Sequence, residues 1–378
     1  MCELIQEKKP TEENSSTPYK EGLYFNMPEE EYFKIPYYSR SGSEDVLFDV
    51  EEYWHNSPMN PDHVPTEPTE AMQLGTAIHC SVLESNRYGG LYVIKPKPED
   101  FKGKKILKTS EDIKAFLVAV GQKKTGNKEE LMDRAADYAD PKLYVIWDKV
   151  INDFNAEAAA NGRRILSTEH GRVITGIQTA LKRRPQMKTI LEDTKSEVVI
   201  IWKDEETGIM CKCMLDAVRP EAIGEVKSFS VKRKKTKLGR AMTKAIEDEA
   251  YNYQYYVYRK ALGLIIRKIN LKTAGVFGEV DPEWLERFLK HPDKQFFIMF
   301  FRTQAPFQCK TFEMEKAPSL GATPNEYYDQ AETLWREGIE KFQWCCKTFG
   351  VSRWIAPDNI ITLTDEHVPR IMWQNSDI

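Results

Sequence analysis

The sequence lacks an excess of either charge: 54 Lys and Arg stand against 58 Asp and Glu in 378 residues, a formal net charge of −4. Nothing at this level marks a nucleic-acid binder, so such a partner has to be met by a local concentration of cations. No apolar run approaches the roughly 20 residues that a membrane span needs. Residues 1–9 (MCELIQEKK) contain no signal-peptide core. These absences predict a soluble, cytoplasmic protein with no membrane partner. The seven cysteines are scattered, several within apolar strand or helix patterns, which fits reduced thiols better than a disulfide scaffold. The length is enough for a sizeable core in one large domain or two smaller ones.

What is present concentrates in residues 197–227. Glu197 to Lys203 is β-branched and aromatic, residues 204–208 (DEETG) form a turn cluster, and Ile209 to Val218 returns with alternation, so a hairpin is predicted. Asp216 falls near the end of its second strand. After Arg219 and Pro220, residues 222–227 (AIGEVK) give a third strand, on which Glu225 and Lys227 share a face and Val226 points into the core. Two carboxylates converging from neighbouring strands make a hard-oxygen site suited to Mg²⁺ or Mn²⁺, and a lysine on that face can orient or deprotonate an attacking water. E-x-K alone recurs by accident, and its plain alternative is a solvated strand face with a surface ion pair.

Two helical patterns add to this. Residues 73–84 (QLGTAIHCSVLE) place Gly75 and His79 one turn apart on a common face, where glycine admits close backbone approach and histidine can ligate a metal. Glu247 to Leu262 reads as a helix ending at Gly263, with Gln254 and Tyr258 sharing a face. Each pair by itself is a common structural arrangement.

In this order, Gly75-x-x-x-His79, Asp216, Glu225-x-Lys227 and Gln254-x-x-x-Tyr258 resemble the RecB-like branch of the PD-(D/E)xK nucleases. Within that branch, residues 74–84 (LGTAIHCSVLE), 202–220 (WKDEETGIMCKCMLDAVRP) and 352–354 (SRW) resemble the RecE-type exonucleases (exodeoxyribonuclease VIII), over most of the chain from Tyr32 onward. The resemblance implies that His79, Asp216 and Glu225, with the Val226 carbonyl, bind divalent metals, Mg²⁺ or Mn²⁺, about two per site. Lys227 would position the attacking water, and Gln254 and Tyr258 would brace the lysine and the scissile strand. The sequence departs from the pattern at Leu215, where the family has proline, and at Glu225, where RecE itself has aspartate.

The fold so implied is α/β with a restriction-endonuclease-like core: a mixed central sheet of about five strands carrying the His79 and Gln254 helices on its faces. The implied activity is 5′-to-3′ exonuclease digestion of linear double-stranded DNA, leaving 3′ single-stranded tails for recombination. Further implications are a RecT-like single-strand annealing partner, a ring-shaped homo-oligomer (trimer or tetramer) and a bacterial or phage-infected cell. The alternatives are a CRISPR-associated or endonucleolytic nuclease of the superfamily, and a catalytically silent DNA-binding relative. Some RecB-like members hold an iron–sulfur cluster with one upstream and three downstream cysteines; here only Cys345 and Cys346 stand near the end, so no cluster is expected.

The remaining chain divides into a disordered tail over 1–20, nuclease over 21–104 and 142–378, and an insertion over 105–141. Ile113, Phe116, Leu117 and Val120 follow helical spacing in the insertion, and Asn127 with Glu130 forms a capping box for a second helix. The pair resembles a SAP or HeH module, whose Lys114, Lys123, Lys124 and Lys128 would contact phosphates; the alternative is a plain helical hairpin. Beside the E-x-K strand, Lys232, Arg233, Lys234, Lys235, Lys237 and Arg240 form a cationic run that either tracks DNA phosphates or is a solvated face. His170, after Ser167 and Thr168, reads as a surface histidine. Farther on, the sequence predicts an Asp281-capped helix, paired strands at Gln295–Arg302 and Lys310–Met314, and a long helix over Thr323–Phe349.

Overall fold

The computed structural model describes residues 19–65, 67–231, 237–315 and 326–356. Apart from Tyr19 and Lys20, the tail expected over 1–20 lies outside the described residues. So do Lys232, Arg233, Lys234 and Lys235 of the cationic run and the segment beyond residue 356.

The architecture is a seven-stranded mixed sheet between helices. Its strands are β1 (Gly22–Tyr24), β2 (Lys195–Lys203), β3 (Met210–Val218), β4 (Ala222–Phe229), β5 (Gly275–Phe277), β6 (Gln295–Arg302) and β7 (Cys309–Met314). They lie in the order β7-β6-β4-β3-β2-β1-β5. The β2–β3 hairpin forms as the sequence predicts. Asp204 Oδ1 accepts from the Thr207 amide at 3.0 Å and its hydroxyl at 2.9 Å, and Gly208 takes φ 74, which closes the turn and fixes the register. Val198 to Trp202 are fully buried, because both faces of β2 are covered; this explains a continuous apolar run where alternation would mark a half-exposed strand.

On one face, helices Tyr251–Asn270 and Glu326–Phe349 pack on Ile200, Trp202, Cys213 and Leu215. On the other, helices Glu70–Leu83 and Thr168–Lys182 pack on Val226, Met299 and Phe301. The expected α/β fold with a mixed sheet and a helix pair about the site is therefore present. Its sheet is wider than the expected five strands, because β1 and β5 are three residues each, too short to carry a readable period.

The helix expected over Glu247–Leu262 is two helices, Leu238–Asp248 and Tyr251–Asn270, broken at Ala250 with φ 45. The second helix also runs through Gly263, its last turns held by the buried Ile265 and Ile266. The SRW segment has a packing role. Trp354 is fully buried, stacked at 5.3 Å from Tyr53 and 5.5 Å from Trp54, while Arg353 pairs with Glu51.

The insertion holds a small core of its own, built from Leu107, Ile113, Phe116, Leu117, Leu131, Ala135 and Ile146. Its helices are Ser110–Ala119 and Lys128–Tyr138; Thr109 with Asp112 caps the first and Asn127 with Glu130 the second. Val120, expected on the apolar face, caps the first helix and is 37% exposed. At its start, Lys105–Leu107 pairs in parallel with Tyr144–Ile146.

Candidate active site

The site forms where β3 and β4 part. The two strands pair at Val218 with Ile223 and at Ala217 with Gly224. A Cβ at Gly224 would meet the Met299 methyl at 2.8 Å and Ile190 at 3.2 Å, so a larger residue there would have to push those side chains aside. One step farther the ladder gives way to a side chain: Asp216 Oδ2 accepts the buried Val226 N–H at 2.8 Å. This satisfies a backbone donor that a continued ladder would have paired.

His79 comes down from helix Glu70–Leu83, whose Ala77, Ile78, Ser81 and Val82 are buried against the sheet. Its Nε2 stands 3.0 Å from the Val226 carbonyl and 3.1 Å from Asp216 Oδ2. Burial opposes the imidazolium, but Asp216, Glu225 and the Val226 carbonyl outweigh it and raise the His79 pKa to about 9. Burial alone would raise Asp216; the His79 and Lys227 cations and the Val226 amide hold it below its ordinary value instead. Gly75 makes no close backbone approach of the kind expected of it, because a Cβ there would meet only Ser228 Oγ at 3.9 Å. The glycine leaves room beside the site.

Glu225 is 2% exposed. Its Oε1 accepts from Lys227 Nζ at 2.8 Å and from Gln254 Nε2 at 2.6 Å, while its Oε2 is buried without a partner. Burial and the Asp216 carboxylate push its pKa up to about 7, against the pull of Lys227. Burial works against the Lys227 cation too, yet Glu225 and Asp216 raise it to about 12, and its Nζ lies 4.9 Å from the Tyr251 ring centre. An ammonium this firmly protonated does not accept a proton at neutral pH.

Gln254 donates its second amide hydrogen to the Tyr258 hydroxyl at 2.7 Å, and Tyr258 donates to the Met214 carbonyl at 2.8 Å. Tyr258 is thus a buried anchor that fixes Gln254, and through it Glu225, to β3. Its hydroxyl both accepts from Gln254 and donates to Met214 within the protein. Tyr258→Phe breaks that anchor while keeping the ring, so we expect an activity loss of about 10-fold or more with little unfolding; kcat and Tm of the variant check this.

The arrangement brings His79, Asp216, Glu225, Val226, Lys227, Gln254 and Tyr258 together. Two carboxylates, an imidazole nitrogen and a carbonyl suit a hard divalent cation, and the unpartnered Glu225 Oε2 is an oxygen such a cation would satisfy. Among the described residues, no three His, Cys, Asp or Glu side chains are already spread at metal-holding spacing. His79 and Asp216 close on each other instead, Nε2 to Oδ2 at 3.1 Å.

Of the cationic run, Lys237 and Arg240 are described and exposed at the start of helix Leu238–Asp248. In the insertion, Lys123 and Lys124 are exposed, and Lys128 pairs with Asp148 at 2.6 Å. His170 is a helix-start residue whose amide is capped by the Ser167 hydroxyl.

A family model described as a PDDEXK-like domain of unknown function (DUF3799) matches residues 55–277, more than half of the chain. The chain belongs to this family. The PDDEXK-like match spans His79, the Asp216 and Glu225 strands and the Gln254 helix, and it sets the chain in the PD-(D/E)xK nuclease superfamily. A crystal structure of a candidate exonuclease from Eubacterium rectale is similar at 13% identity and a TM-score of 0.40, covering 93% of this chain and 97% of that one. No curated protein matches. No helix among the described residues is long and apolar enough to cross a membrane.

The Met214 carbonyl, which anchors Tyr258, carries no sequence signal. Counting back from the Asp204–Gly208 turn places Glu197 opposite Asp216.

Proposed function

We propose that the protein is a divalent-metal-dependent exonuclease of the RecE type, digesting linear double-stranded DNA from 5′ ends and leaving 3′ single-stranded tails. The observation that carries the nuclease chemistry is the buried chain Lys227–Glu225–Gln254–Tyr258 set against His79 and Asp216 at the parting of β3 and β4. The polarity and the recombination role, with a RecT-like annealing partner, a ring-shaped oligomer and a cytoplasmic setting, rest on the RecE resemblance.

His79, Asp216, Glu225 and the Val226 carbonyl would hold the cation, which supplies Lewis acidity at the scissile phosphate. Lys227 Nζ holds the attacking water and offsets charge developing on the phosphate. Gln254 keeps the Glu225 carboxylate from swinging, so that only Oε2 remains to be engaged. Tyr258 holds Gln254. The electrostatics make this loading proton-linked. With His79 near 9 and Glu225 near 7 in the metal-free protein, Mn²⁺ affinity should rise as pH rises from 7 to 9, about tenfold per unit where one proton is displaced. Calorimetry in buffers of different ionisation enthalpy reads that proton directly.

The insertion over 105–141, in this reading, adds affinity through its lysines, the exposed Lys123 and Lys124 among them, and the run from Lys232 to Arg240, which follows Lys227 in the sequence, guides the DNA backbone. Each phosphate contact releases counterion, so deleting the insertion should flatten the slope of log affinity against log salt by about two to four. Binding measured from low to moderate salt checks it; an unchanged slope in a folded deletion variant makes the unit a plain hairpin. The exonuclease reading as a whole is tested with matched linear and covalently closed circular duplex in Mg²⁺. Linear DNA should be consumed and the circle spared; cutting of the circle favours the endonucleolytic alternative.

A further inference from the structure

Glu197 lies within β2, yet its backbone is left-handed, at φ 53. A side chain other than glycine holds that conformation inside a strand only where its surroundings impose it. The β2–β3 ladder pairs Ser196 with Ala217 and Val198 with Leu215, which leaves Glu197 opposite Asp216 without a ladder pair. On the far side of β3, the ladder of Val218 with Ile223 and Ala217 with Gly224 stops at the step that would set Asp216 opposite Glu225. Glu197, Asp216 and Glu225 therefore occupy one row across three adjacent strands, and both ladders are interrupted along that row.

Carboxylates crowd Glu197. Burial first, and then Glu84, Glu29 and Asp216, all of its own sign, push the pKa of the half-buried Glu197 carboxyl up, with His79 as the opposing cation. An independent observation in the same row points to a ligand: Glu225 is 2% exposed and its Oε2 has no hydrogen-bond partner. A divalent cation is the chemistry that relieves both the crowding and the orphaned oxygen.

We propose that Glu197 is a third carboxylate of the metal site, set by β2 opposite Asp216 so that the two acids share a divalent cation. The inference rests on the metal site of the nuclease reading. It accounts for the cost of a left-handed glutamate in a strand interior as the means of displacing this residue from the regular ladder toward the row.

The test uses Glu197→Gly and Glu197→Gln in the full chain, with Asp216→Asn as reference. Mn²⁺ binding is read by calorimetry, and thermal unfolding is read in EDTA and again with Mn²⁺. Glycine relaxes the left-handed backbone and removes the repelled acid, so its Tm in EDTA should rise by about 2 °C. In both Glu197 variants Mn²⁺ should bind about tenfold or more weakly, and the rise in Tm on adding Mn²⁺ should shrink. Three outcomes overturn the proposal. Wild-type Mn²⁺ affinity in both Glu197 variants, with weakened binding in Asp216→Asn, removes Glu197 from the site and leaves the nuclease reading standing. A fall in Tm for Glu197→Gly in EDTA, with binding retained, makes Glu197 a residue that holds the fold. Equal binding by the wild type and Asp216→Asn removes the metal site itself, and the inference with it.

Discussion

Lys227→Ala is expected to lower turnover by about 10³-fold while metal affinity stays within a few-fold of the wild type. The lysine is a cation, raised to about 12 by Glu225 and Asp216, and it donates to Glu225 Oε1 at 2.8 Å. Removing it takes away the group that holds the water and offsets phosphate charge, but Gln254 still holds the same carboxylate oxygen at 2.6 Å. The ligand set therefore survives. Loss of the cation also lets the Glu225 pKa climb above about 7, so the residual activity should shift to higher pH. Steady-state rates from pH 6 to 9 with calorimetry on the same preparation check this. Activity within tenfold of the wild type would show that Lys227 acts only as the partner of Glu225.

The second large effect is at Asp216, and two substitutions separate its structural part from its chemical part. Asp216→Ala leaves the buried Val226 N–H without its acceptor, which costs about 1–3 kcal/mol of stability, and it deletes an anionic ligand. Asp216→Asn keeps an oxygen for that N–H, so its stability should stay closer to the wild type while Mn²⁺ binding falls about 100-fold. Both should lower the His79 pKa from about 9, because burial, which opposes the imidazolium, is left with less to balance it. The sign follows: a histidine that loses its anionic partner gives up its proton at lower pH. Histidine NMR titration in metal-free buffer reads the shift, and an unchanged His79 pKa would contradict the pairing at 3.1 Å.

Much of this site is legible in the sequence because its residues sit on regular elements. Glu225 and Lys227 share a strand face by the two-residue period, and Gln254 and Tyr258 meet by the four-residue helical spacing. The β2–β3 hairpin is legible because Asp204, Thr207 and Gly208 carry turn chemistry. The convergence of His79 from a helix far upstream is not contained in any local pattern; the resemblance supplied it. β1 and β5 were illegible because three residues carry no period. The break at Ala250 was illegible because alanine gives no warning of a left-handed turn. Glu197 was legible only through the hairpin register, and its backbone was not, since nothing in the residue's identity announces φ 53.

The most direct measurement is the release of label from linear duplex carrying 5′ label on one preparation and 3′ label on another, with Mg²⁺, with EDTA, and with Asp216→Asn beside the wild type. The account predicts Mg²⁺-dependent early loss of the 5′ label, retention of the 3′ label on lengthening single strands, and neither in EDTA nor with Asp216→Asn. Early loss of the 3′ label would contradict the polarity. Degradation by Asp216→Asn at the wild-type rate, or in EDTA, would contradict the site.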